Sequence, residues 1–194
     1  MSKTKILGKK TFLLKFQKKD ISKKYLSWLN DKSNLKYSNN RFTNHNFDIL
    51  KKYYLSFDFK KNFLYKIFTS DGVFIGTITC YINPIHNHAN IGILIGEKDY
   101  KGKGFGLDAW RSIIKYLFSK GVRKIYAGTM SCNNSMKKIF VKSGMRSEAK
   151  FKYHEKMNGR YYDMIYYSIF KKKNNKWNML NFEIKNSKNS YKIY

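Results

Sequence analysis

The pattern of hydrophobic and polar positions predicts a chain in which strands and helices are mixed. Residues 10–16 alternate between apolar and polar side chains, as a half-buried strand does. The next segment has apolar residues at helical spacing, with Asp20 in the position of an N-cap, and a second helical pattern covers residues 46–57. Residues 30–45 between them are polar and rich in asparagine, which indicates a loop or a short helix.

Strand patterns follow in the middle of the chain. Two runs rich in β-branched and aromatic residues, 62–69 and 73–82, are separated by Asp71-Gly72. An Asp-Gly pair accepts the positive φ angles of a type I′ turn, so we expect a hairpin there. A further strand is expected from about residue 89 to 96.

The C-terminal half is predicted to contain two helices, one strand and a closing hairpin. A long amphipathic helix ends at Gly121, which fits the C′ position, and Asn158-Gly159 marks the hairpin turn. The order β-α-α-β-β-β-α-β-α-β-β predicts one α/β domain with a mixed sheet over residues 1–170. Residues 171–194 form a basic tail rich in asparagine and lysine.

Composition and charge narrow the class of protein. Of the 194 residues, 40 are Lys or Arg and 12 are Asp or Glu, a formal net charge of +28 that attracts polyanions. The lysines are spread along the chain, as an AT-rich genome also produces, so a phosphate-bearing ligand is favoured over an obligatory nucleic-acid partner. The absence of a secretory signal, of a membrane span and of paired or metal-spaced cysteines (Cys80 and Cys132 stand far apart) predicts a cytoplasmic protein.

The chemically informative segment is the glycine loop, Lys101-Gly102-Lys103-Gly104-Phe105-Gly106. It joins a predicted strand to a predicted helix, where glycines let backbone N–H groups approach an anion and the helix N-terminus adds positive potential. Two lysines add full charges. The GxGxG spacing matches neither the dinucleotide fingerprint GxGxxG nor the P-loop GxxxxGK[ST]. The loop therefore predicts a diphosphate site of another kind.

Three motifs in register resemble the GNAT-type N-acetyltransferases, in particular the ribosomal-protein-acetyltransferase-like branch. "DYKGKGFGLDAW" is similar to the acetyl-CoA pyrophosphate loop [R/Q]xxGx[G/A], with Lys101 where Arg or Gln is usual. "NNSMKKIFVKSGM" is similar to the family's Asn-containing segment before a helix and a Gly-hydrophobic pair. "HEKMNGRYYDMIYYSIF" resembles its closing hairpin, and together the motifs extend the resemblance over residues 10 to 170.

The resemblance implies a GNAT fold: a mixed, mostly antiparallel central sheet of about seven strands, splayed in the middle and flanked by about four helices. It implies direct acetyl transfer from acetyl-CoA to an amine, without a metal, and backbone groups beside the splay that polarise the thioester carbonyl. The residues expected to hold acetyl-CoA are Ile93, Leu94, Ile95, Lys101, Gly102, Lys103, Gly104, Phe105, Gly106, Asn133 and Phe140.

The sequence offers candidates for the base of the reaction, but the residue expected to be its acid cannot donate a proton. Phe140 stands where many relatives have a tyrosine that protonates the leaving thiolate, so another donor or water must serve. His88 and Glu97 flank the expected CoA-contacting strand and are the candidate bases. The alternative interpretations are an exposed loop histidine and a solvated carboxylate.

The acceptor is predicted from residues 25–42, which resemble a branch that acetylates nucleotide-linked amino sugars for surface polysaccharides or nonulosonates. In that interpretation Asn30, Asp31, Tyr37 and Arg41 line the acceptor side. Two alternatives stay open: an acetyltransferase for protein N-termini, and a basic nucleic-acid- or ribosome-binding protein with a non-catalytic acetyltransferase fold. A homodimer is also left open.

Overall fold

A computed structural model describes residues 5–171, in which eight strands form one sheet in the order β1-β2-β3-β4-β5-β6-β8-β7. All neighbouring strands are antiparallel except β5 and β6. The strands are β1 (Ile6–Leu7), β2 (Thr11–Lys15), β3 (Asn62–Thr69), β4 (Phe74–Asn83), β5 (His88–Ile95), β6 (Lys124–Met130), β7 (Arg146–Met157) and β8 (Arg160–Phe170). The helices are α1 (Lys23–Asn30), α2 (Lys32–Leu35), α3 (Phe47–Leu55), α4 (Phe105–Ser119) and α5 (Asn134–Lys142).

The sheet splays between its two parallel strands, as the resemblance implied. β5 pairs with β6 only from His88 to Asn90, and the last partner pair is Asn90 with Tyr126. Beyond Asn90, β5 continues to Ile95 while it still pairs with β4 on its other side. The edge of residues 91–95 that faces β6 therefore has no strand partner, which leaves its backbone groups available to a ligand.

The sheet separates two hydrophobic clusters. One packs α4 and α5 against the sheet around Trp110, Ile113 and Phe140, all fully buried. The other packs the N-terminal helices against the opposite face and contains Trp28 and Leu50. Each cluster therefore covers one face of β5, and the part of this strand left open is its unpaired edge at residues 91–95.

Most predicted elements are confirmed, with small differences at their ends. The N-cap of α1 is Ser22, whose hydroxyl accepts from the Tyr25 N–H at 3.2 Å, so the N-cap prediction for Asp20 was wrong. Asp20 instead closes a 3₁₀ turn and binds the Lys66 ammonium at 2.8 Å. The short strand β1 had no sequence signal because only two residues pair.

The two predicted hairpin turns differ in geometry. At the second, both Asn158 and Gly159 have positive φ, 50° and 77°, as a type I′ turn requires. At the first, Gly72 is left-handed with φ of 91° but Asp71 is not among the positive-φ residues, so the type I′ prediction was wrong there. The pairing of β3 with β4 shifts register between Ile67 and Phe68, next to this turn, and the shift accommodates the different turn geometry.

Three general features complete the fold. Cys80 and Cys132 are both free thiols, and Cys80 is buried. None of the helices in residues 5–171 is long and apolar enough to cross a membrane. The predicted tail, 171–194, lies outside the described residues except for Lys171.

Candidate active site

The glycine loop lies where the sequence analysis placed it, between β5 and the N-terminus of α4. Gly102 and Gly104 have φ of 74° and 89°, a conformation that side-chain-bearing residues rarely adopt, and Gly104 is the N-cap of α4. A Cβ at Gly102 would meet no described atom within 4 Å, and one at Gly104 would meet only the Lys10 ammonium at 3.9 Å. The surface above the loop is therefore open.

The first N–H groups of α4 are free to bind an anion. Gly104 offers no capping side chain, and the N–H groups of Gly106 and Leu107 have no acceptor in the part of the chain that the structure describes. Unpaired N–H groups at the start of a 15-residue helix form an anion site together with the helix dipole. The diphosphate of acetyl-CoA fits this site in charge and in access.

Gly106 has a different role from the other two glycines. It lies inside α4, and a Cβ there would meet Ile95 at 3.4 Å and Ile139 at 3.6 Å. These are ordinary packing distances on the side of α4 that faces β5 and α5, so a side chain at this position would point away from the open surface above the loop. Gly106 therefore contributes to the predicted diphosphate site through its free N–H and not through space left by its missing side chain.

Asp108, in the first turn of α4, connects the loop to the N-terminal edge of the sheet. Its carboxylate accepts hydrogen bonds from the backbone N–H groups of Lys9, Lys10 and Thr11 at 3.0, 2.9 and 2.9 Å, and from the Thr11 hydroxyl at 2.8 Å. Partial burial by itself raises the pKa of Asp108, but these hydrogen bonds outweigh it and the net pKa is lowered. A Cβ on Gly8 would lie 2.3 Å from the same carboxylate, so the turn needs glycine there.

The Asp108 contacts bring a third cation, Lys10, to the glycine loop. Its ammonium lies 3.5 Å from the Lys103 carbonyl oxygen and 5.7 Å from the centre of the Phe105 ring. Lys10 has no sequence signal as a residue of this loop, because 93 residues separate it from Lys103. Lys101, which was expected to point at the diphosphate, instead donates to the side-chain oxygen of Asn34 on the other side of β5.

The remaining predicted acetyl-CoA residues lie along the splay and at α5. Ile93 and Ile95 face α4 at the position of Gly106, whereas Leu94 faces the N-terminal helices. Asn133 accepts from the Met136 N–H at 3.1 Å and donates to Thr129 at 3.0 Å, so its side chain caps α5. Helix capping therefore explains the asparagine in the second motif.

Phe140 is fully buried and has no solvent-facing edge. Its ring centre lies 5.0 Å from that of Tyr167 and 5.8 Å from that of Trp110. A phenyl ring has no proton to give, and this one is part of the core.

A cavity of about 390 Å³ opens between the N-terminal helices and the sheet. We call it the acceptor-side cavity, and it meets β5 at Gly92–Leu94, within the stretch that has no partner on the β6 side. A Cβ on Gly92 would lie 2.9 Å from the Thr79 hydroxyl, so the glycine leaves room for this side chain, which also lines the cavity. The lining residues are Tyr25, Leu29, Asn34, Leu35, Ser38, Asn40, Thr43, His45, Ile49, Leu50, Tyr53, Thr77, Thr79, Gly92, Ile93 and Leu94.

The lining mixes apolar and polar groups, with the apolar ones in excess, and carries no carboxylate. Hydroxyl and amide groups are mixed with aromatic and aliphatic side chains, and His45 is the one imidazole among them. Burial raises the pKa of both Tyr25 and Tyr53, so both hydroxyls stay protonated at neutral pH. They can donate hydrogen bonds but cannot act as bases.

The four residues predicted to bind the acceptor lie between residues that line this cavity, but none of the four lines it. Asp31 caps α2 through the Ser33 N–H and pairs with Lys98 at 3.3 Å, and hydrogen bonding to Ser33 lowers its pKa to about 2. Tyr37 is half-buried beside the Lys36 ammonium.

The other two, Asn30 and Arg41, form hydrogen bonds to the backbone of residues distant in sequence. The Asn30 amide donates to the His45 carbonyl at 2.9 Å and accepts from the His45 N–H at 3.0 Å. Arg41 donates to the Lys156 carbonyl at 3.0 Å and lies 3.5 Å from the Glu155 carboxylate of β7. Each thus positions residues near the cavity without lining it.

The two predicted bases lie at opposite ends of β5. His88 is at the start of the strand, before the splay, with its ring 5.4 Å from Tyr126, and its Nδ1 is buried without a hydrogen-bond partner in the described chain. Glu97 follows the strand and forms an ion pair with Lys24 at 2.8 Å. Neither residue lines the cavity.

No group of three or more His, Cys, Asp or Glu side chains within residues 5–171 is arranged to hold a metal ion.

Comparison with known proteins agrees with this geometry. The sequence model of the acetyltransferase (GNAT) domain matches residues 10–146. No curated protein matches in sequence.

Several solved acetyltransferases share the fold. The spermidine N-acetyltransferase of Vibrio cholerae, solved with CoA and spermine, has a TM-score of 0.75 at 21% identity, covering 84% of this chain and 96% of its own. RimL, a ribosomal L7/L12 alpha-N-protein acetyltransferase solved with CoA, has a TM-score of 0.76 at 16% identity, covering 86% and 98%. The microcin C7 self-immunity acetyltransferase MccE, solved with acetyl-CoA and AMP, has a TM-score of 0.70 at 19% identity, covering 84% and 93%.

Proposed function

The chain belongs to the GNAT acetyltransferase family and is an acetyl-CoA-dependent N-acetyltransferase, and we propose that the amine it acetylates is carried by a nucleotide-linked amino sugar. The observation that carries this proposal is the lining of the acceptor-side cavity, which has hydroxyls, amides and aromatic rings but no carboxylate. Sugar hydroxyls pair with such groups, and aromatic faces suit a ring or a base.

The same lining argues against a polyamine acceptor. A polycation is held by carboxylates, since each buried ammonium needs a counter-charge. The cavity offers none, and the chain's net charge of +28 repels a polycation at a distance. The spermidine acetyltransferase therefore shares the fold with this chain, but this cavity is unsuited to its substrate.

A cation stands at the edge of the cavity for the diphosphate of such a sugar. Lys101 pairs with the neutral amide of Asn34, which lines the cavity, so its charge is not cancelled by that contact. MccE, which has the same fold and was solved with acetyl-CoA and AMP, supports the proposal of a nucleotide-bearing acceptor. We further propose that the enzyme works in the cytoplasm and that surface-glycan biosynthesis uses its product.

A protein N-terminus is the second candidate acceptor. The fold similarity to RimL supports it, and an α-amino group needs no carboxylate when it is held as the neutral amine. The family assignment favours an enzyme over the nucleic-acid-binding alternative.

The test is thiol release from acetyl-CoA in the presence of UDP- and dTDP-linked amino sugars, N-terminal peptides and spermidine. We expect turnover with at least one nucleotide sugar, at a kcat/KM above that for any peptide or for spermidine. Turnover on peptides alone would transfer the assignment to the second candidate. Turnover on spermidine would contradict the argument from the cavity lining.

A further inference from the structure

His45 is the residue of the acceptor-side cavity that can take a proton from an amine. It is half-buried in the loop before α3, and it shares the cavity with Gly92–Leu94 of the splayed strand. Amines are protonated at neutral pH, so the acceptor must lose a proton before its nitrogen can attack. Tyr25 and Tyr53, the two other titratable side chains of the lining, stay protonated.

The hydrogen bonds of His45 determine which ring nitrogen is basic. Its Nε2 lies 3.4 Å from the carbonyl oxygen of Asn40. A carbonyl only accepts, so in the neutral ring Nε2 carries the proton and donates it to this bond. Nδ1 then carries the lone pair. Imidazole is the side chain that ordinarily changes charge between about pH 5 and 8.

The backbone of His45 is fixed more firmly than that of an ordinary loop residue. Asn30, at the C-terminal end of α1, makes both of its amide hydrogen bonds to the N–H and C=O of His45. Asn46, the next residue, caps α3 by accepting from the Ile49 N–H at 2.8 Å. The imidazole is thus held between two helices, as a catalytic base must be.

Few charges surround this imidazole. Tyr25 faces the cavity from α1 and Tyr53 from α3, and both are neutral. Asp48 in the first turn of α3 is paired with Lys51 at 3.2 Å, and Arg41 in the preceding 3₁₀ turn is paired with Glu155. Lys101 lies at Asn34 on the side of the cavity nearest to α2.

We propose that His45 is the general base that deprotonates the acceptor amine, with Nδ1 as the accepting atom and Asn30 as the positioning residue. One proton passes from the ammonium to Nδ1. The neutral nitrogen then forms the C–N bond as the thioester C–S bond breaks, and the second proton of that nitrogen ends on the departing sulfur. This inference rests on the transferase activity, not on the identity of the sugar.

The variant that tests the proposal is His45→Gln, because the Gln amide keeps a donor for Asn40 but has no basic nitrogen. His86→Gln, in the exposed β4–β5 turn, is the matched control. The substrate is the amine of the panel above that turns over, whichever class it belongs to. We expect His45→Gln to lower kcat/KM for that amine by about a hundredfold at pH 7. We expect it to remove the acid limb of the pH profile of kcat/KM.

Acetyl-CoA affinity, measured by calorimetry, should be unchanged in both variants. An acid limb that persists in His45→Gln, or an equal loss of activity in His86→Gln, would overturn the assignment of the base.

A second measurement needs no acceptor. The chain has four histidines, so long-range ¹⁵N NMR of histidine-labelled protein resolves each ring, and the variant identifies the His45 signals. We expect the neutral ring of His45 to carry its proton on Nε2. A proton on Nδ1 would contradict the proposal. If no amine of the panel turns over, the proposed acceptor class is wrong. The position of the proton on the His45 ring still tests the proposal that His45 is the base.

Discussion

The two sides of strand β5 are built from different kinds of contact. On the acetyl-CoA side, the decisive features are backbone conformations within a few consecutive residues: positive φ at Gly102 and Gly104, and an uncapped helix N-terminus. On the acceptor side, the cavity is shaped by side chains that reach over long sequence separations. Arg41 contacts the backbone of Lys156, 115 residues away, and Asn34 bridges to Gly96, 62 residues away.

Because of this difference, the acetyl-CoA side can be predicted from the sequence better than the acceptor side. A left-handed residue is almost always glycine, so the backbone of the loop is visible in the letters themselves. A side chain that contacts a distant strand has no recognisable pattern in the sequence around it. A change at the binding residues of one side should therefore alter the affinity for one substrate only.

The largest expected effect comes from Asp108, the brace of the acetyl-CoA side. Asp108→Ala leaves three backbone N–H groups and the Thr11 hydroxyl without their acceptor, at a cost of about 2–4 kcal/mol in the free energy of unfolding. For a chain of this size that lowers Tm by roughly 5–12 °C. Calorimetric or fluorescence melting measures it, and Asp48→Ala, which removes an exposed ion pair, is the control.

The pH dependence of this loss has a definite sign. The pKa of Asp108 is lowered in the folded chain, so its contribution is complete above the unfolded carboxyl pKa of about 4 and disappears as the pH falls through the lower folded value. The Tm difference between the native protein and Asp108→Asn should be constant from pH 5 to 8 and shrink below about pH 4. A difference that grows on acidification would contradict the assignment.

Gly104→Val should break the anion site while the acceptor side stays intact. A β-branched residue is strained at φ of 89° and crowds the open surface above the loop, so we expect the Kd for acetyl-CoA to rise at least tenfold, about 1.4 kcal/mol. Gly121→Val is a matched control, since Gly121 has φ of 90° and equally open space, but lies at the far end of α4. Both variants should lose similar stability, and only Gly104→Val should lose affinity.

An unchanged Kd in folded Gly104→Val would show that the loop does not hold the diphosphate. Equal losses of affinity in both variants would show that global strain, not the site, is responsible.

The loop, the splay and the element order were predictable because each depends on residues close together in sequence, or on a pattern that a family repeats. Lys10 and His45 were not. Their positions follow from the Asp108 and Asn30 hydrogen bonds, and an aspartate in a first helical turn or an asparagine at a helix end has several common partners. The same reasoning applies to Lys101, whose rotamer is set by Asn34 and not by its place in the motif.

Arg41→Met should disturb the acceptor side alone. The Arg41 and Glu155 side chains are only 11% and 16% exposed, so removing the guanidinium costs more than at a surface pair. We expect a several-fold higher KM for the acceptor, equivalent to about 1 kcal/mol, and an unchanged Kd for acetyl-CoA. Lys51→Met, which removes the exposed pair with Asp48, is the control and should change neither. A rise in the acetyl-CoA Kd with no change in acceptor KM would reverse the assignment of the two sides.

The smallest expected effect concerns Lys10, which is distant from the glycine loop in sequence but lies beside it in the structure. Its ammonium is exposed, so salt screening limits its contribution to binding. We expect Lys10→Gln to raise the acetyl-CoA Kd about two- to fivefold at low salt, and by less at 0.5 M salt. Lys9→Gln is the matched control, because Lys9 also donates its backbone N–H to Asp108 while its side chain makes no contact with the loop in the described structure.

Calorimetry with CoA and with CoA lacking the 3′-phosphate identifies the phosphate group that Lys10 contacts. An effect that persists with the truncated cofactor assigns Lys10 to the diphosphate, and equal effects of the two lysine variants would mean that only the overall charge of the chain matters.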